Sequence, residues 1–167
     1  MRRTTRGLAG QSVFVLLLSM FIAPLAAADD EADVRAVLAK YVATETSDLA
    51  EQAKLMSDDR VYISGGVRTT DNVSNMKAQV AGQNLGRELD PDRMTMVTIE
   101  DVMVNVYGDA AVASFYRYWT VIPGADAVRA GANPQGPPDQ VVTLVLAKSG
   151  RDWKIVHTHQ SLMGSPQ

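Results

Sequence analysis

"QVVTLVLAKSGRDWKIVHTHQS" runs from Gln140 to Ser161. Two runs rich in β-branched residues flank Ser149-Gly150-Arg151, so the segment reads as a hairpin of strands Gln140–Lys148 and Asp152–Leu162. Side chains alternate along a strand. Trp153, Ile155, His157, His159 and Ser161 therefore share one face, and Lys154, Val156, Thr158 and Gln160 the other. With the first face inward, Trp153 and Ile155 enter the core, while His157, His159 and Ser161 step towards a cavity mouth. A β-bulge in this strand would exchange the faces.

Upstream the same period of two continues. Met94–Val106 and Ala110–Ile122 form a second hairpin about Gly108-Asp109. Pro123–Asp139, "PGADAVRAGANPQGPPD", has the Gly and Pro content of a long loop. Before Asp90-Pro91-Asp92 the period is helical. Val34, Val37, Leu38, Tyr41 and Val42 mark one face of a helix over Asp29–Val42. Asp48 caps a shorter helix, with Glu51 as reciprocal partner and Leu49, Ala53 and Met56 as its buried side. "RVYIS", Arg60–Ser64, is a short strand ended by Gly65-Gly66. A third helix opens at Thr70 or Asp71, buries Val73, Met76 and Val80, and stops at Gly82 or Gly86. Helices ahead of antiparallel strands give an α+β domain, with three N-terminal helices on the concave face of a curved sheet. A cone of that kind holds a cavity suited to a small ligand.

The first 28 residues stand apart. Arg2, Arg3 and Arg6 precede an apolar run, Val13–Ala28, that ends in Ala26-Ala27-Ala28 before Asp29-Asp30. This is the pattern of a secretory signal peptide cleaved near Ala28, leaving one domain over residues 29–167. The expected destination is the periplasm or the exterior. Pro24 and the shortness of the run count against a membrane anchor. Losing those three arginines from 16 basic residues leaves 13 against 19 acidic ones, a charge of −6. Such a balance argues against nucleic acid and against anionic membranes. The sequence has no cysteine, so an exported fold would depend on its core alone.

On the return strand Phe115, Arg117 and Trp119 share a face opposite Tyr116, Tyr118 and Thr120. An arginine among aromatic residues needs an anion, either a carboxylate of the protein or one of a ligand. The two histidines, the sole ones in the chain, are read three ways. They are polar wall residues or interface residues; or a ligand-binding or acid–base pair; or zinc ligands, for which two imidazoles without another His or Cys are too few. Tyr41 and Tyr62 are core tyrosines whose hydroxyls could face a pocket. "NVS", Asn72–Ser74, matches a glycosylation sequon of low specificity.

Three stretches together resemble a known family: "VLAKYVATETSDLAEQAKLMSDDRVYIS" with Tyr41, Asp48 and Asp59, "VNVYGDAAVASF", and "VTLVLAKSGRDWKIVHTHQS". The chain looks like a SnoaL-like domain of the nuclear transport factor 2-like superfamily. Its tail is similar to the association domain of calcium/calmodulin-dependent kinase II. The resemblance implies a cone-shaped barrel that dimerises through the outer face of its sheet. It also implies a pocket lined or flanked at Tyr41, His157, His159 and Ser161. Members include isomerases, dehydratases and cyclases as well as non-catalytic binding and association domains, so fold does not decide activity.

The leading expectation is a binding or association domain without cofactor or metal. It would hold a small, partly apolar molecule, neutral or anionic, through Tyr41, Tyr62, Arg117, Trp119, His157, His159 and Ser161, in a homodimer or higher homo-oligomer. The alternative is a cofactor-free isomerase or lyase using His157 or His159 as general acid or base. A purely associating module would present an apolar outer sheet face, for which Val142, Leu144 and Leu146 are candidates.

Overall fold

The computed structural model describes residues 22–133 and 136–164. Helix α1 spans Ile22–Glu45. It starts upstream of Asp29 because the alanine-rich stretch before it is a strong helix former. The rest of the expected signal segment, residues 1–21, lies outside the described residues. Among the described residues no helix is long and apolar enough to cross a membrane. Val34, Leu38 and Tyr41 are buried along one stripe of α1, at the spacing that brings side chains to one helical face. Glu45 extends that stripe by one more turn.

Helix α2, Leu49–Ala53, is capped by Asp48, whose Oδ1 accepts from the Glu51 N–H at 3.0 Å. The reciprocal half of the expected box is absent, since the Glu51 carboxylate turns to Lys54 instead. Met56, expected on the buried side of α2, opens strand β1, Met56–Ser64. Gly65 and Gly66, at φ 57° and 79°, turn β1 into the short β2, Val67–Thr69. Positive φ at both central residues is what a two-residue type I′ hairpin requires. Helix α3, Asn72–Leu89, is capped by Asp71 and runs through both Gly82 and Gly86 to Asp90. Neither glycine has positive φ, so neither forms the left-handed cap that would stop the helix.

Strands β3 (Met94–Tyr107), β4 (Ala110–Ile122), β5 (Gln140–Ser149) and β6 (Asp152–Leu162) follow, with a one-turn helix α4, Ala125–Arg129, inside the segment read as irregular loop. The sheet order is β2-β1-β6-β5-β4-β3. Every pair is antiparallel except β1 with β6, which is parallel. With β2 and β3 at its edges the six-stranded sheet is not closed, so the architecture is α+β with an open sheet rather than a complete barrel. Helices α1 to α3 pack against one face. That inner face buries Ala111, Ala113, Phe115, Trp153 and Ile155 beneath Val34, Leu38 and Met76.

Val142, Leu144 and Leu146 also point inward and are fully buried. They build the core, not an outer face.

One irregularity repositions the end of β6. Leu146 pairs with Ile155, but the next residue back, Val145, pairs with His157. Val156 is therefore an extra residue, a β-bulge, and the alternation shifts by one beyond it. Thr158 faces Leu144 and Gln160 faces Val142, all four buried. His157, His159 and Ser161 fall on the outer face, opposite Val145, Thr143 and Val141. Trp153 and Ile155 lie before the bulge and stay inside, as alternation requires.

Candidate functional site

The inner face is apolar towards one end and polar towards the other. At the polar end a cavity of about 220 Å³ opens among Tyr41, Glu45, Gln52, Arg60, Arg117 and Gln160. Tyr62, Ser64 and Trp119 complete its walls, and Pro137 and Gln140 sit at its border. Each element contributes through its own period. Helix α1 brings Tyr41 and Glu45 on successive turns of its buried stripe. Strand β1 brings Arg60, Tyr62 and Ser64 on one face. Strand β4 brings Arg117 and Trp119, and β6 brings Gln160 after its bulge.

Arg117 is 3% exposed and is held by the protein itself. Its Nη1 donates to Glu45 Oε1 at 3.3 Å and to the Tyr41 hydroxyl at 3.2 Å, and its Nη2 donates to the Gln140 side-chain oxygen. Its Cζ lies 5.3 Å from the centroid of the Trp119 ring, within cation–π range. Gln52 completes the cluster. Its Nε2 donates to Glu45 Oε2 at 2.6 Å and to the Tyr41 carbonyl at 3.0 Å. Both Glu45 oxygens are thus engaged. Of the two partners that a buried Arg117 could have had, the structure supplies the internal carboxylate.

Arg60 is different. It is 2% exposed, yet no carboxylate lies within ion-pair distance among the described residues. Its Nη1 donates to Thr158 Oγ1 at 3.3 Å and its Nη2 to Asn75 Oδ1 at 3.1 Å, both neutral acceptors. Its Nε meets no acceptor among the described residues. The Tyr62 ring lies 4.9 Å away. Burial pushes the guanidinium below its ordinary pKa, an effect that Tyr41, Tyr62 and Glu45 oppose. The site therefore buries two guanidinium groups and one carboxylate. Burial also pushes the Tyr41 hydroxyl far above its usual range, with the Glu45 charge adding to the shift and Arg117 opposing it. Tyr41 is accordingly a neutral hydroxyl at physiological pH.

Four of the seven residues expected from the sequence meet here: Tyr41, Tyr62, Arg117 and Trp119. His157, His159 and Ser161 do not. The bulge at Val156 turns them to the other side of the sheet, with His157 half-buried and His159 exposed. Sequence reasoning missed Arg60, Glu45, Gln52 and Gln160. The signal for Arg60 was its sharing of a strand face with Tyr62 and Ser64; that for Glu45 was its place one turn beyond Tyr41. The described end of the long loop, residues 136–139, approaches the site. Pro137 borders the cavity, and a Cβ added to Gly136 would lie 3.2 Å from that of Trp119.

The chain matches the SnoaL-like domain over residues 34–165. No curated protein matches it. Solved structures share its fold at low identity. An NTF2-like protein with a cystatin-like fold from Novosphingobium aromaticivorans is 16% identical, with 93% of this chain and 94% of that one covered and a TM-score of 0.64. ActVI-ORFA from Streptomyces coelicolor is 13% identical over 78% and 92% of the two chains, with a TM-score of 0.62. An NTF2-like protein from Shewanella oneidensis is 17% identical over 77% and 96%, with a TM-score of 0.56. At these identities the structures speak for the cone-like fold alone. With its matched domain spanning helices and sheet alike, the chain belongs to the SnoaL-like domain family.

Proposed function

We propose that this protein is an exported binding protein whose inner cavity holds a small organic anion with a flat, partly apolar body. The observation that carries this reading is the buried charge of Arg60. An unneutralised ion inside a protein costs several kcal/mol, so folds tolerate one where a ligand supplies the counter-charge. Neutral partners at Thr158 and Asn75 orient the guanidinium without neutralising it. Tyr62 and Trp119 offer aromatic faces for the ligand body, and Gln160, already accepting from the Tyr62 hydroxyl at 3.1 Å, offers a further polar contact. The cavity volume lies below the ~300–1,000 Å³ usual for drug-sized ligands, which suits a compact aromatic or branched acid. A histidine-dependent isomerase, dehydratase or cyclase lacks support here, because neither imidazole faces the cavity.

Export rests on the N-terminal pattern of Arg2, Arg3, Arg6 and the apolar run to Ala28. Self-association rests on the outer sheet face, where Met94, Met96, Met103, Tyr107, Tyr116 and Ile122 are exposed. Paired copies would cover that face and, with it, His157 and His159. Sedimentation velocity of wild type against Tyr116→Asp tests the pairing; one species of monomer mass in both would reject it.

The binding role is tested by titrating benzoate, with benzamide as the uncharged control, into wild type and Arg60→Met by calorimetry. Wild type should prefer benzoate and the variant should lose that preference. Equal benzoate affinity in both proteins would overturn the role of Arg60.

A further inference from the structure

We propose that the buried cavity is the inner half of a longer site, and that the cleft outside it receives the polar, anionic tail of a two-headed ligand. This rests on the binding role just given. The cleft, of about 450 Å³, lies between the end of α1, the second half of α3 and the start of β3. Glu45, Gln79 and Trp119 line both spaces, so these three side chains form the partition through which a ligand would pass. Trp119 presents its ring there, and its indole N–H meets no acceptor among the described residues. Together the two spaces fall within the range that accommodates drug-sized ligands.

Two glycines indicate that the cleft is kept open. Gly82 and Gly86 lie four residues apart in α3, on the stripe that includes Gln79 and Gln83, and all four face the cleft. Glycine is the worst helix former after proline, and the fold does not require it at either place. A Cβ added to Gly82 would meet nothing within 4 Å, and one added to Gly86 would meet only Arg93 Nη1, at 3.8 Å. Backbone φ is not positive at either. What a side chain would occupy is the cleft itself.

The cleft walls are polar and lean cationic. Arg87 donates to the carbonyls of Thr46 and Ser47 at 2.9 and 3.1 Å. Neither it nor Arg93 has a carboxylate within ion-pair distance among the described residues. The one acidic group besides the paired Glu45, Asp90, accepts from the Gly124 N–H at 3.2 and 3.1 Å. Two guanidinium groups beside one occupied carboxylate favour an anionic end group. The ligand class is therefore an acid with a flat spacer and a second acidic group on a flexible arm.

The test uses 4-(carboxyalkoxy)benzoates with arms of increasing length, compared with benzoate by calorimetry. At the matching arm length the dicarboxylate should bind wild type at least ~10-fold more tightly than benzoate. That ratio should collapse towards unity in Gly82→Leu, which fills the cleft, and fall several-fold in Arg93→Gln, an exposed position that leaves the fold intact. A ratio near one at every length in wild type, or a ratio unmoved by both substitutions, would overturn the extended site while leaving the inner cavity's role standing. Absence of benzoate binding in wild type would overturn both.

Discussion

Replacing Glu45 with glutamine should destabilise the fold severely and tighten anion binding at once. Glu45 is 9% exposed and Arg117 3%, so solvent screens their pairing little. The carboxylate accepts at both ends, from Arg117 at 3.3 Å and from Gln52 Nε2 at 2.6 Å. A glutamine side chain there has one accepting oxygen. If that oxygen faces Arg117, its NH2 group confronts the Gln52 NH2. If Gln52 flips to relieve the clash, its own oxygen confronts the Tyr41 carbonyl, to which Nε2 now donates at 3.0 Å. No arrangement of the two amides satisfies Arg117, Gln52 and the Tyr41 carbonyl together. The loss of a charge-assisted hydrogen bond, about 1.5–3 kcal/mol, adds to one unsatisfied buried group, about 1–3 kcal/mol. The sum agrees with the about 3–5 kcal/mol measured when one partner of a buried pair is removed. With a urea dependence of about 2 kcal/mol per molar, the unfolding midpoint should fall by about 1.5–2.5 M. Adding Arg117→Met should restore part of the loss, since the two residues share one interaction. Benzoate affinity should rise in the single variant, because the cavity then holds two cations and no carboxylate. A midpoint change corresponding to under about 1 kcal/mol would refute the claim that Glu45 neutralises Arg117.

Arg60→Met should raise stability by about 1–3 kcal/mol in the same urea assay, since the relief of an uncompensated buried charge outweighs the hydroxyl left unpaired at Thr158; a loss of stability would show that the charge serves folding. Above pH 10 the protein should lose stability by up to about 1.4 kcal/mol per pH unit, and Tyr41→Phe should flatten the slope. The sign follows from the raised pKa of Tyr41: its contribution to stability is fully present below the unfolded value of 10.0 and is lost as pH rises above it, because the unfolded chain ionises while the folded one keeps its proton. An unchanged slope in the variant would place the alkaline transition elsewhere. Gly124→Ala should cost about 1–3 kcal/mol by overpacking, because its Cβ would lie 2.5 Å from Asp90 Oδ1 and 2.9 Å from Asp92 Cβ; equal thermal midpoints for the two proteins would contradict the close approach.

Most of the fold was legible because period and punctuation are local properties. The bounds of β4 and β6 follow from their alternation, and Asp48 and Asp71 announce their helices by the capping that the structure shows. Length alone misled at α3, where Gly82 and Gly86 read as stops; a glycine ends a helix through its conformation, and its identity does not reveal that conformation. Half of the site was also readable. Tyr41, Tyr62, Arg117 and Trp119 stand on inward faces that simple counting assigns.

The sequence by itself determined the α+β order of elements, the inward stripe of α1 and the aromatic face of β4, since each depends on near neighbours in the chain. Tertiary structure alone decided where the charges and the imidazoles went. Pairing of β6 with β5 places the extra residue at Val156, and one extra residue reverses every side chain after it, sending His157 and His159 outward and Thr158 and Gln160 inward. Whether Arg117 or Arg60 keeps an uncompensated charge depends on which one Glu45 reaches across the core, a distance that no local pattern encodes.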